Sequence, residues 1–364
     1  MVKNVRFPLV EVSGAPYHMG YQYGRKCQFL IRKLARNFDR ILLPAAFREE
    51  GRKIAAQAIP FVRQHAPDLY EETRGIADGA GLEMEEVFRL NCSSELYAWL
   101  GCKKQQVKNT VTDGCTSFAV KTGQETLVAW NMDWWRSWQE YLVLIHGIPE
   151  KGPRFLCVAM AGAIGRPGLS EKMGLAANYL PYQAEADCLP QETAWAGPGV
   201  PYNFVSRMLL VQESTRAAIS LLKKIPRMTC LNYTLGDRQG EIVCVETLPR
   251  EMAVIKPGED FLVHANAYHS PKFHGYTEKQ QEKHDPRAYL GRQLLRKSRR
   301  LTSAVIRQTQ RAHFPGEKTG VCRHAFRGRD DCMTLLSFVA EVKRQRMWVA
   351  SGPPCLHRFL PYRL

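Results

Sequence analysis

Apolar positions in the first hundred residues recur at intervals of three and four. Cys27, Leu30, Ile31, Leu34, Phe38 and Ile41 form one such stripe, the pattern of a helix with one buried face. Pro44 ends that helix or lies just beyond it. Asp68 is placed as the N-cap of a second helix carrying Leu69, Thr73 and Ile76. Gly79 and Gly81 break it, and Met84, Val87, Phe88 and Leu90 begin another. After Lys108 the period changes. Residues 116–120 and 126–130 flank a turn containing Thr122-Gly123, which reads as a β-hairpin. Short β-rich runs follow at 141–146 and 155–160, a helical pattern spans 203–224, and four further strand-like runs lie at 229–235, 241–246, 252–255 and 261–264. Residues 287–306 read as helix, with closing strands at 334–340 and 347–350. Two strand clusters separated by helices predict an α+β fold of stacked sheets covered by helices, not βαβ alternation. No composition shift reads as a linker, so residues 1–364 are expected to form a single domain.

Composition narrows the function classes. The 364 residues are 45% hydrophobic and 24% charged, an ordinary globular balance. No apolar run is long enough to span a bilayer, so no membrane partner is expected. The opening MVKNVRFPLVEVSGAP lacks the continuous apolar core of a signal peptide, and a cytoplasmic location is expected. A formal net charge of +16 favours anionic partners. The densest basic run, 292–300, interleaves its charges with apolar residues at helical spacing, which reads as a solvated helix face; without a recognisable motif, no nucleic acid is expected as partner. Eleven cysteines include no CxxC pair, so neither a zinc ribbon nor a thioredoxin-type site is expected, and no metal. Ten of the eleven read as core or surface thiols.

The eleventh calls for chemistry. Cys115, in Thr112-Asp113-Gly114-Cys115-Thr116-Ser117, stands where helix gives way to hairpin, as the first residue of the first strand. Asp133 follows in Asn131-Met132-Asp133-Trp134, on the return strand that the hairpin brings back beside Cys115. An acid among Met132, Trp134 and Trp135 needs a partner. Spacing alone favours a buried cysteine opening a core strand beside a capped turn aspartate.

Asp113-Gly114-Cys115-Thr116 with Asn131-x-Asp133 resembles the processing site of the penicillin acyltransferase family (acyl-CoA:6-aminopenicillanic acid, or isopenicillin N, acyltransferase). Similar features run through nearly the whole chain: Gly14-Ala15-Pro16-Tyr17-x-x-Gly20-Tyr21-x-x-Gly24, Tyr70-Glu71-Glu72-x-Arg74-Gly75-Ile76-Ala77, Asn91 and Glu95-Leu96-Tyr97. Ala161-Gly162-x-Ile164-Gly165, Gly174-Leu175-Ala176-x-Asn178, Gly199-Val200-Pro201, Glu246-x-x-Pro249, His264-Ala265-Asn266 and Cys322-Arg323 follow in order. The resemblance implies a four-layer αββα N-terminal nucleophile hydrolase fold. It also implies a precursor that cuts itself before Cys115 into chains 1–114 and 115–364, which stay together as a heterodimer.

It further implies an amidohydrolase or acyltransferase acting on small-molecule N-acyl amides through a Cys115 thioester. No cofactor is implied; acyl-CoA would be the acyl donor if the reaction is transfer. A free α-amino group on Cys115 can serve as base for its own thiol, so no catalytic histidine is required. Asp133 resembles the acid that orients this amine, Asn266 the oxyanion amide, and Arg323 the active-site arginine of a Cys-Arg motif. Gly114 is expected to tolerate a strained backbone at the cut. Ser117 stands in place of a threonine and keeps its hydroxyl, and Asn131 is a supporting residue. Gly320 replaces a serine, and His264-Ala265-Asn266-Ala267 departs from a His-Thr-Asn-His segment, so penicillin is not carried over as substrate. A non-catalytic, uncut binding protein of the same fold is the competing reading.

Overall fold

The structure, a computed structural model, describes residues 5–103, 114–180, 197–325 and 332–364. The expected helix after Cys27 runs Gln28–Leu42 and buries Ile31, Leu34, Phe38 and Leu42, four positions on one face. The next expected helix runs Pro67–Ala80. Ala66 is its N-cap; Pro67 takes the first helical position and Asp68 lies within the first turn, where its charge suits the helix dipole without capping it. Gly79 does not break the helix. Gly75 and Gly79 lie against the helix Pro16–Lys26, where a Cβ would come within 2.1 Å of Tyr17 O and 2.4 Å of Tyr21 O. The glycines are there to let two backbones touch. Gly81, at φ 65°, ends the helix in the left-handed conformation.

Two sheets form the middle of the molecule. One has the order β1 (Leu9–Gly14), β4 (Leu142–Pro149), β5 (Phe155–Met160), β6 (Gly168–Ser170), β7 (Met173–Tyr179), β8 (Leu231–Asp237), β9 (Ile242–Thr247) and β10 (Met252–Ile255). The other runs β11 (Phe261–His264), β2 (Thr116–Lys121), β3 (Thr126–Trp135), β12 (Cys332–Glu341), β13 (Arg346–Ala350) and β14 (Leu360–Arg363). Pairing is antiparallel except between β1 and β4. Strands β2 and β3 pack face to face on β7 and β8. Glycines 174 and 236, on β7 and β8, make room there for Val128 of β3. The helices Pro16–Lys26 and Tyr202–Leu210 contact the first sheet, and Pro286–Arg296 and Ser303–Thr309 contact the second. The order is therefore helix, sheet, sheet, helix, as expected.

Two long helical readings are each divided. The 203–224 pattern becomes Tyr202–Leu210 and Thr215–Leu222, restarted by Ser214, whose side chain accepts the Ala217 N–H. The 287–306 pattern becomes Pro286–Arg296 and Ser303–Thr309, restarted by Thr302. In both, a hydroxyl cap offers the backbone a better partner than continuation does. Among the described residues, no helix is long and apolar enough to cross a membrane.

Candidate active site

Strand β2 begins at Thr116, so Cys115 stands immediately before it. Thr116 pairs with Asn131 of β3. Continuing that antiparallel register backwards puts Cys115 across from Met132 and Gly114 across from Asp133. Asp133 in turn faces Thr334 of β12, where the register slips before Leu336. Such a bulge re-aims the side chains beside it.

Asp133 is fully buried, and its carboxylate is well supplied. Thr334 Oγ1 donates to Oδ1 at 2.6 Å, and Arg287 Nη1 donates to Oδ2 at 3.0 Å. Arg287 also donates from Nη2 to Asn266 Oδ1 at 2.6 Å. One guanidinium thus joins the expected amine-orienting acid to the expected oxyanion amide. Asn266 Nδ2 donates one hydrogen to Tyr179 O at 2.6 Å. An amide nitrogen carries two donors, and this one lies against Gly114.

Gly114 has a specific steric reason. A Cβ there would stand 2.7 Å from Asn266 Nδ2 and 2.9 Å from Oδ1. Close approach of the carboxamide is what requires glycine here. Gly114→Ala is expected to displace Asn266 and to slow any reaction at the 114–115 bond. Comparing the time course of chain cleavage in this variant and wild type checks it; equal rates would remove the steric account. Thr112 and Asp113, which complete the sequence motif, lie outside the described residues.

The Cys115 thiol is not activated in the continuous chain. Burial pushes its pKa up to about 12, and the Asp133 carboxylate adds to the rise; the Asp133 N–H, Arg287 and Arg166 oppose it only in part. The residue as a whole is partly exposed. Arg166 is a second cation that the sequence did not single out. It is buried, donates from Nη2 to Ser93 Oγ at 2.8 Å, and lies over the Tyr202 ring. Burial lowers its pKa, against the raising influence of Tyr202, Cys115 and Glu95. Glu95, from the family-like Glu95-Leu96-Tyr97 run, is fully buried and accepts the Tyr202 N–H at 2.6 Å. Burial pushes its pKa up to about 7, although Tyr202 N–H and Arg166 pull the other way.

The remaining expected residues make the following contacts. Ser117 Oγ accepts from Asn178 Nδ2 at 2.8 Å, lies 2.8 Å from Thr234 Oγ1, and donates to His264 O at 3.3 Å, bridging the two sheets. Asn131 Nδ2 donates to Gln310 O at 3.0 Å and Val321 O at 2.7 Å, which ties β3 to the segment carrying Cys322-Arg323. Arg323 is fixed through its backbone: its N–H donates to Thr334 Oγ1 at 3.0 Å and its carbonyl accepts from Thr334 N at 3.0 Å. Thr334 therefore connects Arg323 to Asp133. His264 is a framework residue; Nε2 meets Glu246 Oε1 at 2.9 Å. Glu246 also accepts the Ser270 N–H at 3.1 Å, and His269 Nε2 meets Asp285 at 2.8 Å. This buried relay sits between the loop holding Asn266 and the helix start holding Arg287.

The sequence reading did not single out Arg287. It follows Pro286 in the first turn of its helix, where a cation opposes the helix dipole and needs a compensating anion. An aromatic group adjoins the site. The Tyr97 ring packs against Trp134, Trp135 and Tyr179 at centroid distances of 4.8, 5.6 and 5.7 Å. All four are partly exposed, and Tyr179 is the residue whose carbonyl receives Asn266.

Residues 120–355 match the family described as acyl-coenzyme A:6-aminopenicillanic acid acyl-transferase; Gly114 and Cys115 lie just before that range. The chain is 28% identical over 174 residues to the acyl-coenzyme A:6-aminopenicillanic-acid-acyltransferase 40 kDa form of Emericella nidulans, covering 47% of this chain and 46% of that protein. The match thus spans about half the length of that relative. It is 24% identical over 267 residues to a beta-alanyl-dopamine/carcinine hydrolase of Drosophila melanogaster, covering 64% of this chain and 67% of that protein. Among solved structures, a Caenorhabditis elegans N-acylethanolamine-hydrolyzing acid amidase ortholog aligns at a TM-score of 0.48 and 13% identity, over 63% of this chain and 93% of that one.

Proposed function

The chain belongs to the acyl-coenzyme A:6-aminopenicillanic acid acyl-transferase family, and from that premise we propose that it is a self-processing cysteine amidohydrolase or acyltransferase acting on small-molecule N-acyl amides. One observation carries the reading. Cys115 stands immediately before β2 and beside Asp133, the residue before it is a glycine seated against the Asn266 carboxamide, and Arg287 locks Asp133 to Asn266. The names of two relatives, an acyl-coenzyme A:6-aminopenicillanic-acid-acyltransferase and a beta-alanyl-dopamine/carcinine hydrolase, support this reading.

In the first reaction Cys115 Sγ attacks the Gly114 carbonyl. The Gly114–Cys115 C–N bond breaks, a thioester joins Gly114 to Sγ, and the Cys115 nitrogen takes the thiol proton and becomes an amine. Water then hydrolyses the thioester, leaving a Gly114 carboxylate and a free thiol. In turnover the amine, with a reference pKa of about 7.7–8.0, accepts the thiol proton as Sγ attacks the substrate carbonyl. Asn266 Nδ2 donates to the tetrahedral oxyanion. The ammonium returns the proton to the departing amine, and the acyl thioester passes to water or to an acceptor amine. Asp133 holds the ammonium. The aromatic group of Tyr97, Trp134, Trp135 and Tyr179 favours an apolar acyl portion.

The thiol's two states predict a pH signature. In the continuous chain, thiolate forms only as pH approaches about 12, so alkylation of Cys115 at neutral pH should be slow and rise about tenfold per pH unit. In the cut enzyme, alkylation should rise as pH passes through about 7–8, where the amine loses its proton, and then level off. Iodoacetamide rates for an uncut Gly114→Ala preparation and for wild type give the two profiles. Identical profiles would remove the amine from the role of base. Denaturing mass spectrometry after exposure to a panel of N-acyl amides tests the function itself. An acyl adduct on Cys115 supports it; one continuous chain that binds the amides without an adduct favours a non-catalytic binding protein.

A further inference from the structure

Four potential metal ligands from three separate parts of the chain meet behind Arg323. His313, Cys322, His324 and Cys355 each present one ligand atom, and these atoms all lie within 4.8 Å of one another. Cys322 Sγ is 3.6 Å from Cys355 Sγ and 3.7 Å from His324 Nε2; His324 Nε2 is 2.9 Å from Cys355 Sγ. The His313 and His324 rings are 5.1 Å apart, and His313 Nε2 is buried without a hydrogen-bond partner. With metal–sulfur bonds of about 2.3 Å and metal–nitrogen bonds of about 2.0 Å, a tetrahedral zinc site has ligand–ligand edges of roughly 3.3–3.8 Å. Two of the three distances fall in that range. The third is a hydrogen bond, which lengthens when a metal replaces its proton.

We propose that His313, Cys322, His324 and Cys355 bind one zinc ion, in a structural site separate from Cys115. Two thiolates and two imidazoles are the soft-to-borderline set that zinc selects. Four protein ligands leave no open position, so the ion would hold structure and not activate water. The segments are already assembled by the backbone: Cys322 N donates to Ala312 O at 3.0 Å, His313 pairs with Gly320, and Arg311 Nε donates to Pro354 O at 3.0 Å. What the ion would add is rigidity on both sides of Arg323, whose backbone grips Thr334 and through it Asp133. The absence of CxxC spacing does not bear on this site, because its ligands converge from distant positions.

The test is metal content and cobalt spectroscopy of the full-length protein, purified with its thiols reduced. Elemental analysis is expected to give about one zinc per chain. After chelation, cobalt(II) should produce the visible absorption of a tetrahedral thiolate complex, which zinc abolishes. The double variant Cys322→Ser/Cys355→Ser should lose both signals. If that variant does not fold, His313→Ala, which removes one of the three partly exposed ligands, should weaken zinc retention and alter the cobalt spectrum. Reduced wild-type protein that retains no zinc and gives no cobalt spectrum would overturn the site. So would a spectrum that survives the double substitution, or a Cys322–Cys355 disulfide in protein isolated with its thiols trapped.

Discussion

Cys115→Ala is expected to leave one continuous chain and to reduce amide turnover by a factor on the order of 10⁶, the scale seen when a nucleophile is removed from a hydrolase that keeps its other groups. The substitution deletes a single sulfur at a partly exposed position. It leaves the Arg287 bridge to Asp133 and Asn266 intact, so the thermal midpoint should stay close to wild type. Nothing else among the described residues near the hairpin can replace the thiol: Thr116 and Ser117 are fully buried in the sheet, and Ser117 is committed to Asn178, Thr234 and His264. The gel and the rate therefore fail together. A Cys115→Ala protein that splits at the same bond would assign the cut to another protease; one that still turns over substrate would assign catalysis to another residue.

Arg287→Met should damage stability and catalysis at once. The Asp133 carboxylate is fully buried, and the Arg287 side chain nearly so. Removing one partner of a buried ion pair leaves the other charge uncompensated, at a cost of about 3–5 kcal/mol. The second bond of the same guanidinium fixes Asn266 Oδ1, so its loss also frees the carboxamide. Misplacing an oxyanion donor lowers kcat by roughly 10²–10³. Arg287→Lys separates the two effects. An ammonium can reach Asp133 but cannot copy a planar fork that spans two acceptors. Lysine is therefore expected to recover most of the stability and little of the rate. Thermal unfolding measured beside kcat for both variants decides. If lysine restores both equally, Arg287 is only the counter-ion of Asp133.

The hairpin, the strand carrying Asp133 and the position of Cys115 were legible from local patterns: two β-rich runs, a turn between them, and an acid set between a methionine and two tryptophans. Asn266, Ser117 and Asn131 were identified through family resemblance, and each lies where tertiary contacts, not local pattern, give it meaning. Asn266 matters because β11 delivers it to Gly114, 152 positions away in the chain. Arg287 and Arg166 were missed for the same reason. A buried arginine looks like any surface arginine until the topology supplies its anion. Strands β6 and β7 were missed because Gly168, Gly174 and small alanines carry little apolar signal; they are strands because they pack closely between larger neighbours. The two helix interruptions were missed because the apolar period continues across them; Ser214 and Thr302 act as caps only once the chain is folded. The division into chains 1–114 and 115–364 begins in a segment whose first residues, Thr112 and Asp113, lie outside those described.

The intact mass of the purified wild-type protein under denaturing conditions tests the central claim most directly. The account predicts two components, one ending at Gly114 and one beginning at Cys115, with the second gaining the mass of an acyl group on brief exposure to a good N-acyl amide. A single 364-residue component that nevertheless turns over such amides would contradict it, because Cys115 would then have no free amine to take its proton.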